Sequence, residues 1–250
     1  MIDSQTLIIV AMTFLLAGTV KGVIGLGLPS VSLGILTAAI DLPTAMALLL
    51  VPSFVTNFWQ GAVGGKAREI LLRTWPFLLT ASITIPLGAL ALSRLNLSSL
   101  SALLGVLLVL YSSFSLAGIR LSISPRQETW SGPLFGATNG ILTGMTGSFV
   151  VPGVMYLQAI GLPRDTLVQA MGILFTLSTL MLGLALGRSN LLTAELGWIS
   201  LMAVVPAIAG MVLGQQLRKL LSEQAFRRVF FLSLFVLGAY IVATAVSRLS

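Results

Sequence analysis

Two glycine-rich stretches and one lysine carry the residues best suited to chemistry. Gly140 to Pro152 reads Gly-Ile-Leu-Thr-Gly-Met-Thr-Gly-Ser-Phe-Val-Val-Pro, and Gly22 to Leu33 reads Gly-Val-Ile-Gly-Leu-Gly-Leu-Pro-Ser-Val-Ser-Leu. Both lie within long apolar regions, yet neither suits an unbroken helix, because each interior glycine weakens a helix by roughly 1 kcal/mol relative to alanine. Broken backbone at membrane depth is tolerated only where protein buries it or it lines a polar cavity. Where a helix restarts after a break, its first N–H groups lack partners and carry about half a positive charge. Two such ends facing a shared cavity would bind an anion. Proline favours the first helical position and serine the cap, so short helices are expected to start near Pro29-Ser30 and near Ser148-Phe149. The candidate anion-binding residues are Gly25, Gly27 and Ser30 at the first break, and Thr143, Gly144, Thr146, Gly147 and Ser148 at the second.

Lys21 joins this set as the one charge read well inside a membrane segment, where a cation suggests function by default. A shorter first helix would instead let it snorkel to the headgroups. Asn57 and Gln169 lie on matching long segments of the two halves. Buried amides of this kind either line a polar path or bond to neighbouring helices, and both readings stay open. Glycines at these spacings also serve close helix packing. Asp41, Glu69, Glu128, Asp165, Glu195 and Glu223 all fall in turns or loops, and the chain has no His and no Cys. That leaves no buried carboxylate for sodium, no imidazole or thiolate for a metal and no obvious proton carrier. No cofactor or metal site is expected.

The elements that must position these groups follow from composition. Of 250 residues, 56% are hydrophobic and 8% charged, against about 25% charged in a soluble domain. This is the composition of a polytopic membrane protein, without the alternation of an outer-membrane barrel. The net charge of +7 comes from cations scattered in short loops, which points to the bilayer as partner and away from nucleic acid. The first apolar run, Thr6 to Ile24, follows a start without a basic n-region and is expected to be retained.

The apolar pieces repeat in order. A run to the first break is followed by a short run to Ile40, a Leu42-Pro43 turn, and long segments to about Gly61, Ser93 and Leu116. From about Trp130 the same order returns through the second break, a short run to Ile160, Leu162-Pro163 and three long segments ending near Ala245. At an offset of about 119, Gly25 pairs with Gly144. The fold class expected is an all-α polytopic membrane protein of two inverted-topology repeats, residues 1–117 and 130–250, joined by a cytoplasmic linker, 118–129. Each repeat would hold a broken or re-entrant helix pair plus three full transmembrane helices, giving about 8–10 segments in all. On this topology one side receives ten cations, Lys66, Arg68, Arg73, Arg120, Arg126, Arg164, Arg218, Lys219, Arg227 and Arg228, and the other receives Arg94, Arg188 and Arg248. That bias puts the basic loops in the cytoplasm and both termini outside.

The runs Gly25-Leu-Gly-Leu-Pro29, Pro52-Ser-Phe-Val-Thr-Asn57 with Trp59-Gln60, and Leu142 to Pro152 resemble the TauE/SafE sulfite exporter family of bacterial membrane permeases. The resemblance covers nearly the whole chain. It implies transport of sulfite, sulfoacetate or related small sulfur oxyanions across the inner membrane. Leu28-Pro29 stands where the commoner pattern has glycine.

The function expected is a secondary transporter of small sulfur-containing anions, not an enzyme, with the anion held between the two broken-helix N-termini. A carrier of cations, metals or other small anions is an alternative, as is a membrane assembly protein without transport. An intramembrane hydrolase built on Ser148 and a lysine has little support, since no Gly-x-Ser-x-Gly elbow and no His is present. No nucleotide-binding loop occurs, so ATP is not an expected partner.

Overall fold

The computed structural model describes residues 3–119, 121–220 and 222–249; Arg120 lies outside the described residues, as does the Glu223 side chain. The described residues form helices and no strand: α1 (Ser4–Ile24), α2 (Leu28–Ala39), α3 (Leu42–Ala62), α4 (Ala67–Ala89) with a 3-10 turn at Leu90–Ser93, α5 (Leu97–Leu116), α6 (Pro125–Thr146), α7 (Gly153–Ala159), α8 (Arg164–Arg188), α9 (Ala194–Met202), α10 (Val204–Leu217) and α11 (Glu223–Ser247). Among the described residues, 7 segments are long and apolar enough to cross a membrane: Ser4–Ile24, Leu42–Ala62, Ala67–Ser93, Leu97–Ala117, Arg164–Arg188, Ala194–Leu217 and Gln224–Ser247. The chain is an all-helical, multi-pass membrane protein.

Local chemistry explains the helix starts. Asp3 caps α1, its Oδ1 accepting the Thr6 N–H at 2.9 Å. Asp41 caps α3 in the same way through Thr44 at 2.8 Å. Helix α6 starts at Pro125, five residues before the apolar run at Trp130. There Gln127 Oε1 accepts the Ser124 N–H at 3.0 Å, and Pro125 sits where a missing N–H costs nothing.

The chain forms two compact units. The first comprises Met1–Pro52, Leu95–Gly118 and Leu191–Ser250. Within it, α1 packs along α10, and α5 along α11. Backbones come close enough that a methyl on Gly18 or Gly22 of α1 would overlap the Ala207 or Met211 carbonyl, and one on Gly210 or Gly214 of α10 would overlap the Leu15 or Thr19 carbonyl. This is small-residue packing, with glycines four apart on both partners.

The second unit comprises Ser53–Arg94 and Ile119–Asn190. Here α4 packs along α6 by the same device: methyls on Gly136, Gly140 and Gly144 would strike the Phe77, Ala81 and Ile85 carbonyls, and one on Gly88 the Ile141 carbonyl. Gly140 and Gly144 therefore lie inside a continuous helix and serve its packing; they do not break it. At one end of this unit Arg73 grips Glu128 with two hydrogen bonds, of 3.0 and 2.6 Å, and donates to the Ile160 carbonyl at 2.8 Å. This ties α4 to the first turn of α6 and the end of α7. The Phe77 and Tyr156 rings stack above it, 4.6 Å apart.

Candidate functional site

In the first unit α1 ends where Gly25 turns left-handed at φ 78, its N–H donating to the Lys21 carbonyl at 2.8 Å. Gly27 follows at φ 107 and opens α2, with Pro29 in the first turn. A side chain at Gly27 would be strained by that φ and would crowd Val20 and Phe230. The first bond of α2 runs from the Val31 N–H to the Gly27 carbonyl, leaving the Leu28 and Ser30 N–H groups without an intrahelical acceptor. Ser30 is buried, and so is Lys21, only 4% exposed and one turn before the break. A cation and a helix N-terminus thus stand within a few residues of each other.

In the second unit the break is made differently. α6 ends at Gly147, at φ 72, whose N–H donates to the Thr143 carbonyl at 2.7 Å. Residues 148–152 are not helical, and α7 starts at Gly153, five residues after the expected Ser148. Pro152 explains this, because the residue before a proline disfavours the helical region, and here Val150-Val151 precede it. The loop is stitched to one face of α6. The Thr143 hydroxyl donates to the Ser148 carbonyl at 2.9 Å, and one turn earlier Asn139 Oδ1 accepts the Gly153 N–H at 2.9 Å. Thr146 Oγ1 accepts the Ser148 N–H at 3.2 Å. The first donor of this 7-residue helix is therefore taken, and the helix offers no N-terminal anion site of the kind expected there.

What the second break offers instead is side chains. The Ser148 hydroxyl and the Asn139 amide nitrogen are buried with no hydrogen-bond partner among the described residues. Asn139, fully buried in α6, escaped the sequence reading. Its signal was an amide inside an apolar run, four residues before Thr143. Counted back from the two left-handed caps, Gly25 and Gly147, the helices match at an offset of 122 rather than 119. Gly22 then pairs with Gly144, Gly18 with Gly140 and Lys21 with Thr143.

The two amides on the long helices fare differently. Gln169 spends both ends on the close of α3 and the turn after it, with Oε1 accepting the Lys66 N–H at 3.1 Å and Nε2 donating to the Gly61 carbonyl at 3.0 Å. Beside it, Gln60 Nε2 donates to the Val168 carbonyl at 2.7 Å. Gln169 thus braces the α3–α4 turn against α8. Asn57 is fully buried in α3.

The first break carries a buried lysine and the first turn of α2, and the second break carries a hydroxyl and a carboxamide. Hydrogen-bond donors of these kinds suit an oxyanion. The search of curated proteins and that of solved structures returned no match to this chain. The sulfite exporter TauE/SafE family matches residues 10–241, from the first third of α1 to near the end of α11 and across both breaks. The chain belongs to the TauE/SafE sulfite exporter family, a family of membrane transporters.

Proposed function

We propose that this protein is a secondary permease for small sulfur-containing oxyanions, sulfite or an organosulfonate such as sulfoacetate, in the bacterial cytoplasmic membrane. The observation that carries this reading is the pair of buried, unpartnered donors at the second break, Ser148 Oγ and Asn139 Nδ2. A buried donor left unsatisfied costs about 1–3 kcal/mol, and an oxyanion supplies the missing acceptors. Lys21 and the first-turn N–H groups of α2 offer charge and further donors at the first break, where Gly25 and Gly27 make the turn; Gly147 makes the turn at the second. Thr143 and Thr146 act on the anion through the loop they hold, while Gly144 and Gln169 serve packing and the α3–α4 turn.

The matching caps and glycine spacings support a duplication of residues 1–117 and 130–250, and the cation bias supports inverted repeats with both termini extracytoplasmic. Alternating access would then move one part of the protein around the breaks. The test is flux of labelled sulfite into proteoliposomes holding the purified protein. Transport by the wild type, lost in well-folded Lys21→Gln, is the expected result. Sulfite flux no faster than through empty liposomes would remove the reading.

A further inference from the structure

A second polar site lies in the first unit, at the end of α2 opposite its break. A cavity of about 160 Å³ opens among the last turn of α2, the first turns of α3 and α5, and the last turn of α11. Its lining includes Thr37, Asp41, Ser98, Ser101, Thr244 and Arg248. The Thr37 hydroxyl, buried and without a hydrogen-bond partner among the described residues, belongs to this lining. Asp41 makes two hydrogen bonds to Thr44, of 2.8 and 2.9 Å, and no ion pair among the described residues. Arg248 likewise forms no ion pair among the described residues.

One carboxylate and one guanidinium on the wall of one cavity ask for a ligand with both charges. Because α3, α5 and α11 are membrane-crossing segments, their ends lie at headgroup depth. A guanidinium matches a phosphate, a carboxylate accepts from a primary ammonium, and hydroxyls fill the space between. We propose that this cavity binds a phosphoethanolamine group, either as the headgroup of phosphatidylethanolamine or as a free solute. Phosphatidylcholine offers no N–H to Asp41, and phosphatidylglycerol no cation.

The test is thermal unfolding of the full-length protein in detergent with added phosphatidylethanolamine, phosphatidylcholine, phosphatidylglycerol or free O-phosphoethanolamine. Phosphatidylethanolamine at a hundredfold excess over Kd is expected to raise Tm by roughly 5–10 °C, more than either other lipid. A shift with the free compound assigns the site to a solute; a shift with the lipid alone assigns it to the bilayer. Asp41→Asn retains a good helix cap and removes the charge, so it should fold normally and lose the preference. Arg248→Gln should do the same from the other side. Equal shifts with all three lipids, or a preference unchanged in both variants, would overturn the proposal.

Discussion

The Ser200 hydroxyl donates to the Leu48 carbonyl at 2.8 Å and accepts the Val51 N–H at 3.1 Å. Pro52 lies inside α3 and has no N–H to give the carbonyl four residues before it, which is that of Leu48. Helix α9 therefore supplies the hydrogen bond that the proline removes from α3. Ser200→Ala should cost about 1–3 kcal/mol, the penalty of a buried unpaired carbonyl, read as a lower Tm in detergent. Pro52→Ala restores the N–H, so Ser200→Ala should cost much less in that background. Equal costs in both backgrounds would show that the two residues are not coupled.

Glycine packing predicts a sharp contrast. Gly144→Val places atoms against the Ile85 carbonyl and the Ala89 nitrogen, in backbone that cannot yield. Loss of folded protein on size exclusion is expected. Gly187, near the end of α8, has nothing within 4 Å of its would-be Cβ. Gly187→Ala should leave stability unchanged or raise it by about 0.5–1 kcal/mol.

At the second break, Ser148→Ala removes a hydroxyl that has no partner among the described residues. A purely structural role predicts a changed Tm with sulfite flux per folded protein unchanged. The transport reading predicts an unchanged or raised Tm together with sulfite flux reduced about tenfold, as for a hydrogen bond of ~1.4 kcal/mol made only to substrate. Flux and Tm measured on the same preparation separate the two.

Lysine should replace Arg73 at a modest cost in stability. The Arg73 guanidinium reaches Glu128 through two nitrogens and the Ile160 carbonyl besides, a fork that an ammonium cannot copy. With the Arg73 side chain 38% exposed, screening limits the loss for Arg73→Lys to about 1 kcal/mol. Thermal unfolding at low and high salt should show the wild type losing part of this advantage as salt rises.

Much of the fold was legible because its signals are local. Apolar runs of membrane length, the two glycine breaks and the Leu42-Pro43 and Leu162-Pro163 turns each stand within a few residues, and α3 and α8 start at those turns. What was not legible depends on distant partners. Gly140 and Gly144 look like helix breakers until α4 is brought alongside. Gln169 looks free to line a path until its amide meets Gly61 and Lys66. Asn139 gains meaning only from Gly153, fourteen residues on, whose N–H it accepts. The start of α7 was misplaced because serine after glycine signals a cap, while Pro152 acts later and more strongly.

The most direct test of the anion site is sulfite binding to the purified protein, followed by thermal shift against sulfate, thiosulfate, sulfoacetate, matched carboxylates and sodium or divalent cations. A Tm rise with sulfite or a sulfonate, abolished in Lys21→Gln and weakened in Ser148→Ala, is what the account predicts. A rise with sodium or a divalent metal and none with any anion would contradict it.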